Sequence, residues 1–527
     1  MAAVTTSAAA VIPIDDLTFW EVCDRRARLT PDRLMIVDER DRRITFGEFR
    51  DRAERVAAGL HQLGIGPGSR VTWQLPTRIE TLLVCLALAR LGAHQNPVIP
   101  AVRGREVGFA LRQTGAEWVV LPGTWNGFDY VEMVSGLDWS DAPRPRIVVV
   151  GVDDLPDGDP AILPAAPTDP REARWTFYTS GTTSEPKGVL HSDESLMWGG
   201  RGYAERMRLD ADTVFAMQFA IAHIGGPNLF CFMFSVGIRT LSVERFDPSS
   251  LAELFRRHRV NLCGGSVAFG ELLLREQRRR GAGRLLPDLR QLGGGAGPTP
   301  PAMFDQITAE LEVTYIPAYG MTEVPMIAVG YPDDDVELRR GTDGAPVRGI
   351  EIRAARLDGT VADPGEEGEL QIRGPQVCAG YRDPAQTAEA FVDGWLRTGD
   401  LGLVRPDGRI KLTGRIKDII IRKGENISAR EVEDLLGTHP LVARVAVVGL
   451  PDDERGERVC AVVERVPGQP DLDFAEMQRH LLAAGLGRYK LPEQLELTDE
   501  LPTQGSMLKI SKAAVRRELL ARAGAGT

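Results

Sequence analysis

Cysteine is scarce: Cys23, Cys85, Cys231, Cys263, Cys378 and Cys460 are the only six among 527 residues. They lie far apart in mostly apolar surroundings, with no C-x-x-C and no histidine at ligand spacing. A disulfide scaffold and a structural zinc site are therefore excluded. Reduced, buried thiols of a cytoplasmic protein are expected. Positive charge is also short, with 63 Lys+Arg against 74 Asp+Glu and a formal net charge of −11. That balance excludes broad nucleic-acid or anionic-membrane binding, because both need a basic face; a local pocket for a small anion stays compatible with it. The first fourteen residues contain no Lys or Arg, so the positive segment of a secretory signal is missing and a loose tail is expected. No repeat recurs at a fixed period, which excludes a solenoid.

One apolar run needs separate treatment. Residues 213–238, TVFAMQFAIAHIGGPNLFCFMFSVGI, carry no charged side chain and are long enough to cross a bilayer. Gln218, His223 and the run Gly225-Gly226-Pro227-Asn228 interrupt them, and that run breaks a single helix in the middle. Two buried elements joined by a functional turn are expected, with no membrane span.

Length and 43% hydrophobic residues provide for two to four domains with ample core. Phe46, Phe49, Val56, Ala57 and Leu60 recur at helical spacing within 45–63. The stretch SRVTWQLP reads as a buried strand, a helix with Leu82, Leu83, Leu86 and Leu88 follows, and WVVLPG and PRIVVVGV are further strands. Strands alternating with helices imply a parallel α/β sheet. From Asp343 the texture changes to short strands punctuated by Asp358-Gly359, Pro364-Gly365 and Asp407-Gly408, a β-rich subdomain. From Gly414 the segments SAREVEDLLGTH, VARVAVVGL, RVCAVVERV and ISKAAVRRELLARA describe a small α+β module. The expected fold is thus α/β, with a large multi-lobed domain over 1–413 and a small mobile domain over 414–527.

Between strand-like RWTF and helical DESLMWGGRGYAERM lies YTSGTTSEPKGVLHS, residues 178–192. Thr179, Ser180, Thr182 and Thr183 surround Gly181, with Lys187 and Gly188 following. Glycine lets successive N–H groups face an anion, hydroxyls donate further hydrogen bonds and lysine adds a point charge, which is how a polyphosphate is cradled. It is not a Walker A loop: Gly188 stands where Ser or Thr should be.

This loop resembles the YTSGTTGxPKG signature of the adenylate-forming (AMP-binding) enzymes, the acyl-CoA synthetases, peptide-synthetase adenylation domains and luciferases, with Ser184 in place of the usual Gly. Further blocks follow in that family's order over nearly the whole chain. YGMTE is similar to the family's ATP block: the resemblance implies that Tyr319 faces adenine, with Gly320 and Met321 beside it, that Thr322 reaches the α-phosphate and that Glu323 binds Mg²⁺. GGGAGPTP, with Gly295 and Ala296, resembles the strand end approached by adenine and the acyl group. WLRTGDLG places Asp400 at the family's ribose carboxylate. GRIKDIIIRKGENISAREVE implies a ribose or phosphate contact for Arg415, the interdomain hinge at Lys417, and a turn with Gly424 and Asn426 along the pantetheine tunnel.

LPTQGSMLKISKAAVRREL resembles the family's LPxTxxGKIxKxxLR with one extra residue before the lysine and Leu508 in place of Gly. Registered on its downstream half, it makes Lys509 the catalytic lysine, with Lys512 as the competitor. The implied reaction uses ATP and Mg²⁺ to turn a small-molecule carboxylic acid into acyl-AMP and pyrophosphate, after which coenzyme A takes the acyl group. His223 resembles the family's pocket-mouth residue. Gly225, Val267 and Phe269, with Ala222, Ile224, Gly295 and Met326, are expected to wall an acyl site that offers no charge, so a bulky hydrophobic acid is expected. The stretch QLP…NPVIPAVRGREVGFALR…WNGFDY further resembles bacterial ligases for alicyclic acids such as cyclohexanecarboxylate. Medium-chain, aryl and steroid side-chain acids stay open, as do transfer to a carrier protein, a catalytically altered acyl or nucleotide sensor, and homodimerisation.

Overall fold

A computed structural model describes residues 11–179, 186–245, 247–295, 297, 299–356, 358–423, 425–452, 454–504 and 509–524. Local chemistry sets where its helices begin. Thr45 and Glu48 form a capping box ahead of helix Phe46–Gln62, which buries Phe46, Phe49, Val56, Ala57 and Leu60. Losing such a cap costs about 1 kcal/mol. Helix Ile79–Leu91 is buried at twelve of its thirteen residues, as expected for an element enclosed on all sides.

Two seven-stranded sheets carry the long N-terminal part. The first is ordered Thr314–Ile316, Gln291–Gly294, Leu262–Gly265, Val214–Met217, Arg239–Ser242, Leu34–Asp38, Arg43–Thr45, and every pair but the last is parallel. The second is ordered Gly380–Tyr381, Lys187–Ser192, Ala173–Thr179, His94–Pro97, Arg70–Trp73, Trp118–Leu121, Arg146–Val149, with its first two pairs antiparallel and the rest parallel. Their strands are short and mostly buried, as expected where helices cover both faces.

Residues 213–238 form strand Val214–Met217 and helix Gly225–Val236. The expected two elements are present, but their junction is 218–224, and Gly225 to Asn228 make up the helix's first turn. Proline is tolerated there because the first N–H groups of a helix have no intrahelical partner. Among the described residues no helix is long and apolar enough to cross a membrane. All six cysteines are buried and unpaired.

Beyond Asp343 the β-rich part is a five-stranded sheet in which Trp395–Val404 pairs with both Glu367–Arg373 and Ile410–Arg415. Gly365 and Gly408 take the positive φ, +89° and +78°, that their turns require. Strand Ile410–Arg415 runs two residues past 413, and the turn Ile416–Asp418 leads into a separate sheet. Strand Val442–Asp452 of that sheet shows why both of its faces are covered. Val447 packs with Val432 and Leu436 of helix Ala429–Leu436, while Ala446, Val448 and Leu450 pack with Val515 and Leu519 of helix Lys512–Gly524. Period-two alternation divides one strand between two helices.

Candidate functional site

Four neighbouring parallel strands, Val214–Met217, Leu262–Gly265, Gln291–Gly294 and Thr314–Ile316, end on the same edge of the first sheet. The segments leaving those ends carry, in turn, His223 and Gly225, Val267 and Phe269, Gly295, and the hairpin of Ala318–Met321 with Val324–Val329. Candidates spread over a hundred residues are thereby brought to the crevice outside the carboxyl ends, where open parallel sheets bind ligands. The glycines there have a steric reason: a Cβ on Gly294 would lie 2.1 Å from the Tyr315 hydroxyl. His223 and Val267 are half-buried, and burial lowers the pKa of His223. Phe269 is buried in the core with Leu273, Phe304 and Ile307.

The phosphate-loop segment connects two antiparallel strands, Ala173–Thr179 and Lys187–Ser192, with Thr179 directly opposite Lys187. Ser180, Gly181, Thr182 and Thr183, like Ala296 and Gly424, lie outside the described residues. Thr322 and Glu323 form a two-residue hairpin loop, since Met321 pairs with Val324. The hairpin is tight: a Cβ on Gly320 would come within 2.4 Å of the Pro325 carbonyl oxygen. Glu323 is buried, and its Oε1 accepts from the Tyr381 hydroxyl at 2.8 Å. Burial raises the pKa of this carboxyl, while Tyr381 and Lys187 oppose the rise. The Lys187 ammonium stands 5.5 Å from the Tyr381 ring centroid.

His191, fully buried on the strand that follows the loop, has its pKa pushed down to about 4 by burial. Its neutral ring donates from Nε2 to the Thr322 carbonyl at 2.7 Å, which leaves Nδ1 to accept from the Ser195 hydroxyl at 2.9 Å. The second sheet thus holds the Thr322–Glu323 loop through two side chains, His191 and Tyr381, that sequence reasoning did not single out. The one available signal was a histidine directly after Val189 and Leu190 in the strand KGVLHS.

Asp400 is buried on strand Trp395–Val404, directly opposite Arg415. Its Oδ2 accepts from the Tyr319 hydroxyl at 2.7 Å and its Oδ1 from Arg415 Nε at 2.8 Å. A carboxylate has about four acceptor positions, so two remain for two O–H donors. Lys509, on the short strand Lys509–Ile510 near the far end of the chain, lies within electrostatic reach of this group. Although the residue is exposed, desolvation of its ammonium and the neighbouring Arg415 push its pKa down to about 8, with Asp400 acting in the opposite direction. Lys512 is engaged elsewhere: its ammonium lies 2.8 Å from Glu433 Oε1 and 3.9 Å from Asp418 Oδ2. Lys417 sits exposed in the turn Ile416–Asp418, and Asn426 is exposed on strand Glu425–Ser428.

Among the described residues no three His, Cys, Asp or Glu side chains converge. A divalent cation at Glu323 would therefore take its other ligands from water and nucleotide phosphates, the arrangement magnesium favours. Glu323 fits that use, being a buried carboxylate with one oxygen bound by Tyr381 and a raised pKa that a cation would reverse. The arrangement can neutralise a polyanion and hold a sugar diol, and it requires no side-chain nucleophile because a substrate carboxylate is already one.

Residues 23–382 match the family described as AMP-binding enzyme, and residues 431–507 match the AMP-binding enzyme C-terminal domain. The chain is 32% identical to the salicyl-AMP ligase / salicyl-S-ArCP synthetase of Mycobacterium tuberculosis, with 95% of this chain and 91% of that protein covered. It is 30% identical to the medium-chain fatty-acid–CoA ligase of Escherichia coli, with 96% and 90% covered. Among solved structures, o-succinylbenzoate coenzyme A synthetase from Bacillus subtilis in complex with ATP and magnesium ion superposes with a TM-score of 0.80 at 26% identity, covering 95% of this chain and 99% of that one. With family models matched at both ends of the chain and relatives similar over nearly all of it, the protein belongs to the AMP-binding enzyme family and is an adenylate-forming acid ligase.

Proposed function

We propose that this enzyme converts a bulky, hydrophobic monocarboxylic acid to its acyl-AMP with release of pyrophosphate and then transfers the acyl group to coenzyme A. The observation that carries the reading is the buried Asp400 carboxylate held by the Tyr319 hydroxyl and by Arg415, with Lys509 near enough for these charges to act on its ammonium. In this reading Asp400 and Arg415 hold the ribose, Tyr319 flanks adenine, and Thr179, Lys187 and the intervening loop hold the β- and γ-phosphates. Lys509 bridges the attacking carboxylate and the α-phosphate, where negative charge accumulates as the new P–O bond forms. Glu323 holds magnesium, which when bound neutralises phosphate charge and favours departure of pyrophosphate. The uncharged segment around His223, Gly225 and Val267 receives the acyl group. The two working domains are 1–413 and 414–527, with the hinge at Lys417 and with Asn426 beside the incoming thiol.

A carrier-protein acceptor is the second reading, favoured by the similarity to a salicyl-S-ArCP synthetase. Pyrophosphate release across alicyclic, aryl, steroid side-chain and medium-chain acids, with and without coenzyme A, tests both. Acid-dependent release followed by acyl-CoA is expected. Release that never yields acyl-CoA would transfer the assignment to a carrier protein, and no release with any acid would defeat it.

Lys512→Ala separates the two C-terminal lysines. It strips Glu433 of its ion-pair partner, so a stability loss of about 1 to 2 kcal/mol is expected, below the fully buried limit because both groups retain some solvent. ATP/pyrophosphate exchange should persist. Abolished exchange in a folded Lys512→Ala enzyme would move the catalytic assignment to that residue.

A further inference from the structure

Tyr381 joins two parts of the site that the chain supplies separately. It lies on the edge strand Gly380–Tyr381, paired with Lys187–Ser192 through Val189. Its backbone N–H donates to Thr387 Oγ1 at 2.8 Å, and its ring packs with Val189 and Cys378. Only 8% of the residue is exposed, so the ring is held from several sides. From this fixed position the hydroxyl reaches Glu323 Oε1 at 2.8 Å while the ring faces the Lys187 ammonium at 5.5 Å.

We propose that Tyr381 is a positioning residue for adenylation: its hydroxyl fixes the Glu323 carboxylate so that one oxygen is presented to the metal–nucleotide complex, and its ring holds Lys187 at the end of the phosphate loop. This rests on reading Glu323 as the magnesium-holding carboxylate. The physical logic is that of an outer partner orienting a metal ligand. An unrestrained glutamate must give up rotamer freedom each time it binds a cation, whereas a carboxylate with one oxygen already engaged has lost that freedom in advance. The cation–π contact treats the lysine in the same way. One side chain therefore couples the approach of the loop to the aim of the carboxylate, although Lys187, Glu323 and Tyr381 come from three different strands or loops.

The test compares the full-length enzyme with Tyr381→Phe, Tyr381→Leu and Glu323→Gln. Binding of Mn²⁺ in the presence of α,β-methylene-ATP is read by electron paramagnetic resonance. Tyr381→Phe keeps the ring and deletes the hydroxyl, so Mn²⁺ affinity is expected to fall about tenfold or more. The Mg²⁺ concentration for half-maximal ATP/pyrophosphate exchange should rise by the same factor, while exchange at saturating Mg²⁺ is largely recovered. Tyr381→Leu, which also removes the ring, should in addition raise the KM for ATP. Unchanged Mn²⁺ affinity and Mg²⁺ dependence in a folded Tyr381→Phe enzyme, with Mn²⁺ binding lost in Glu323→Gln, would overturn the role of Tyr381 and leave the proposed function standing. Undiminished Mn²⁺ binding in Glu323→Gln would instead remove the premise and the proposal together.

Discussion

Lys509→Ala is expected to reduce ATP/pyrophosphate exchange by at least about a hundredfold, the scale of deleting a group aimed at charge that develops in a transition state. Thioester formation from synthetic acyl-AMP and coenzyme A should survive, because the lysine acts on the α-phosphate and that bond has already been made. Loss of both half-reactions, or of neither, would refute the assignment. The same lysine sets a pH dependence. Its pKa is pushed down to about 8 by desolvation and by Arg415, and the ammonium is the acting form. Protonation is complete well below that value and is lost as pH rises through it, so kcat/KM for ATP should fall on the alkaline side from near pH 8. A profile flat to pH 10 would contradict the role.

Asp400→Asn should lower kcat/KM for ATP by about tenfold to a hundredfold, the loss expected when a charged acceptor becomes a neutral one in a buried site. Two effects combine. The ribose loses part of its acceptor, and Arg415 loses the carboxylate that holds its Nε at 2.8 Å. A second consequence distinguishes this variant from a merely unfolded one. Asp400 raises the pKa of Lys509 while Arg415 and Lys417 lower it, so removing the Asp400 charge should move the alkaline limb to lower pH. A weakened enzyme whose limb stays in place would mean that the two groups do not share a site.

The lysine distribution was an unread signal in the sequence. Only seven of the 63 basic residues are lysines, and Lys187 is the only one before Lys411. At exposed positions this chain uses arginine almost throughout. Scarcity makes each lysine worth noting, although Lys423 and Lys490 form ion pairs with Glu454 and Glu431 of the kind arginine makes elsewhere. Lys187 and Lys509, the two lysines proposed to meet phosphate, are among those seven.

Helix Phe46–Gln62 and strand Val442–Asp452 were legible because their information is local. Side chains recur every 3.6 or every two residues, and caps lie within one turn. The run 213–238 was legible as two elements but not at the right junction. A Gly-Gly-Pro-Asn run reads as a break by propensity, yet it serves equally as the first turn of a helix, where missing N–H partners cost nothing. Phe269 has the apolar character of a pocket wall, and nothing in its neighbours in the sequence tells that it packs with Phe304 and Ile307.

By itself the sequence determined the chemistry: the Gly, Thr and Lys of the phosphate loop, the Thr322–Glu323 pair, Asp400 and the lysines near the C-terminal end all carry the needed groups in their own residue types. Only the tertiary structure decided which of those groups meet. Glu433 engages the Lys512 ammonium, the contact that supports Lys509 in the proposed catalytic role. Tyr381 reaches Glu323 across 58 residues and His191 reaches Thr322 across 131. Such pairings follow from strand order and register, which arise from the packing of whole sheets and leave no mark on the residues immediately around them.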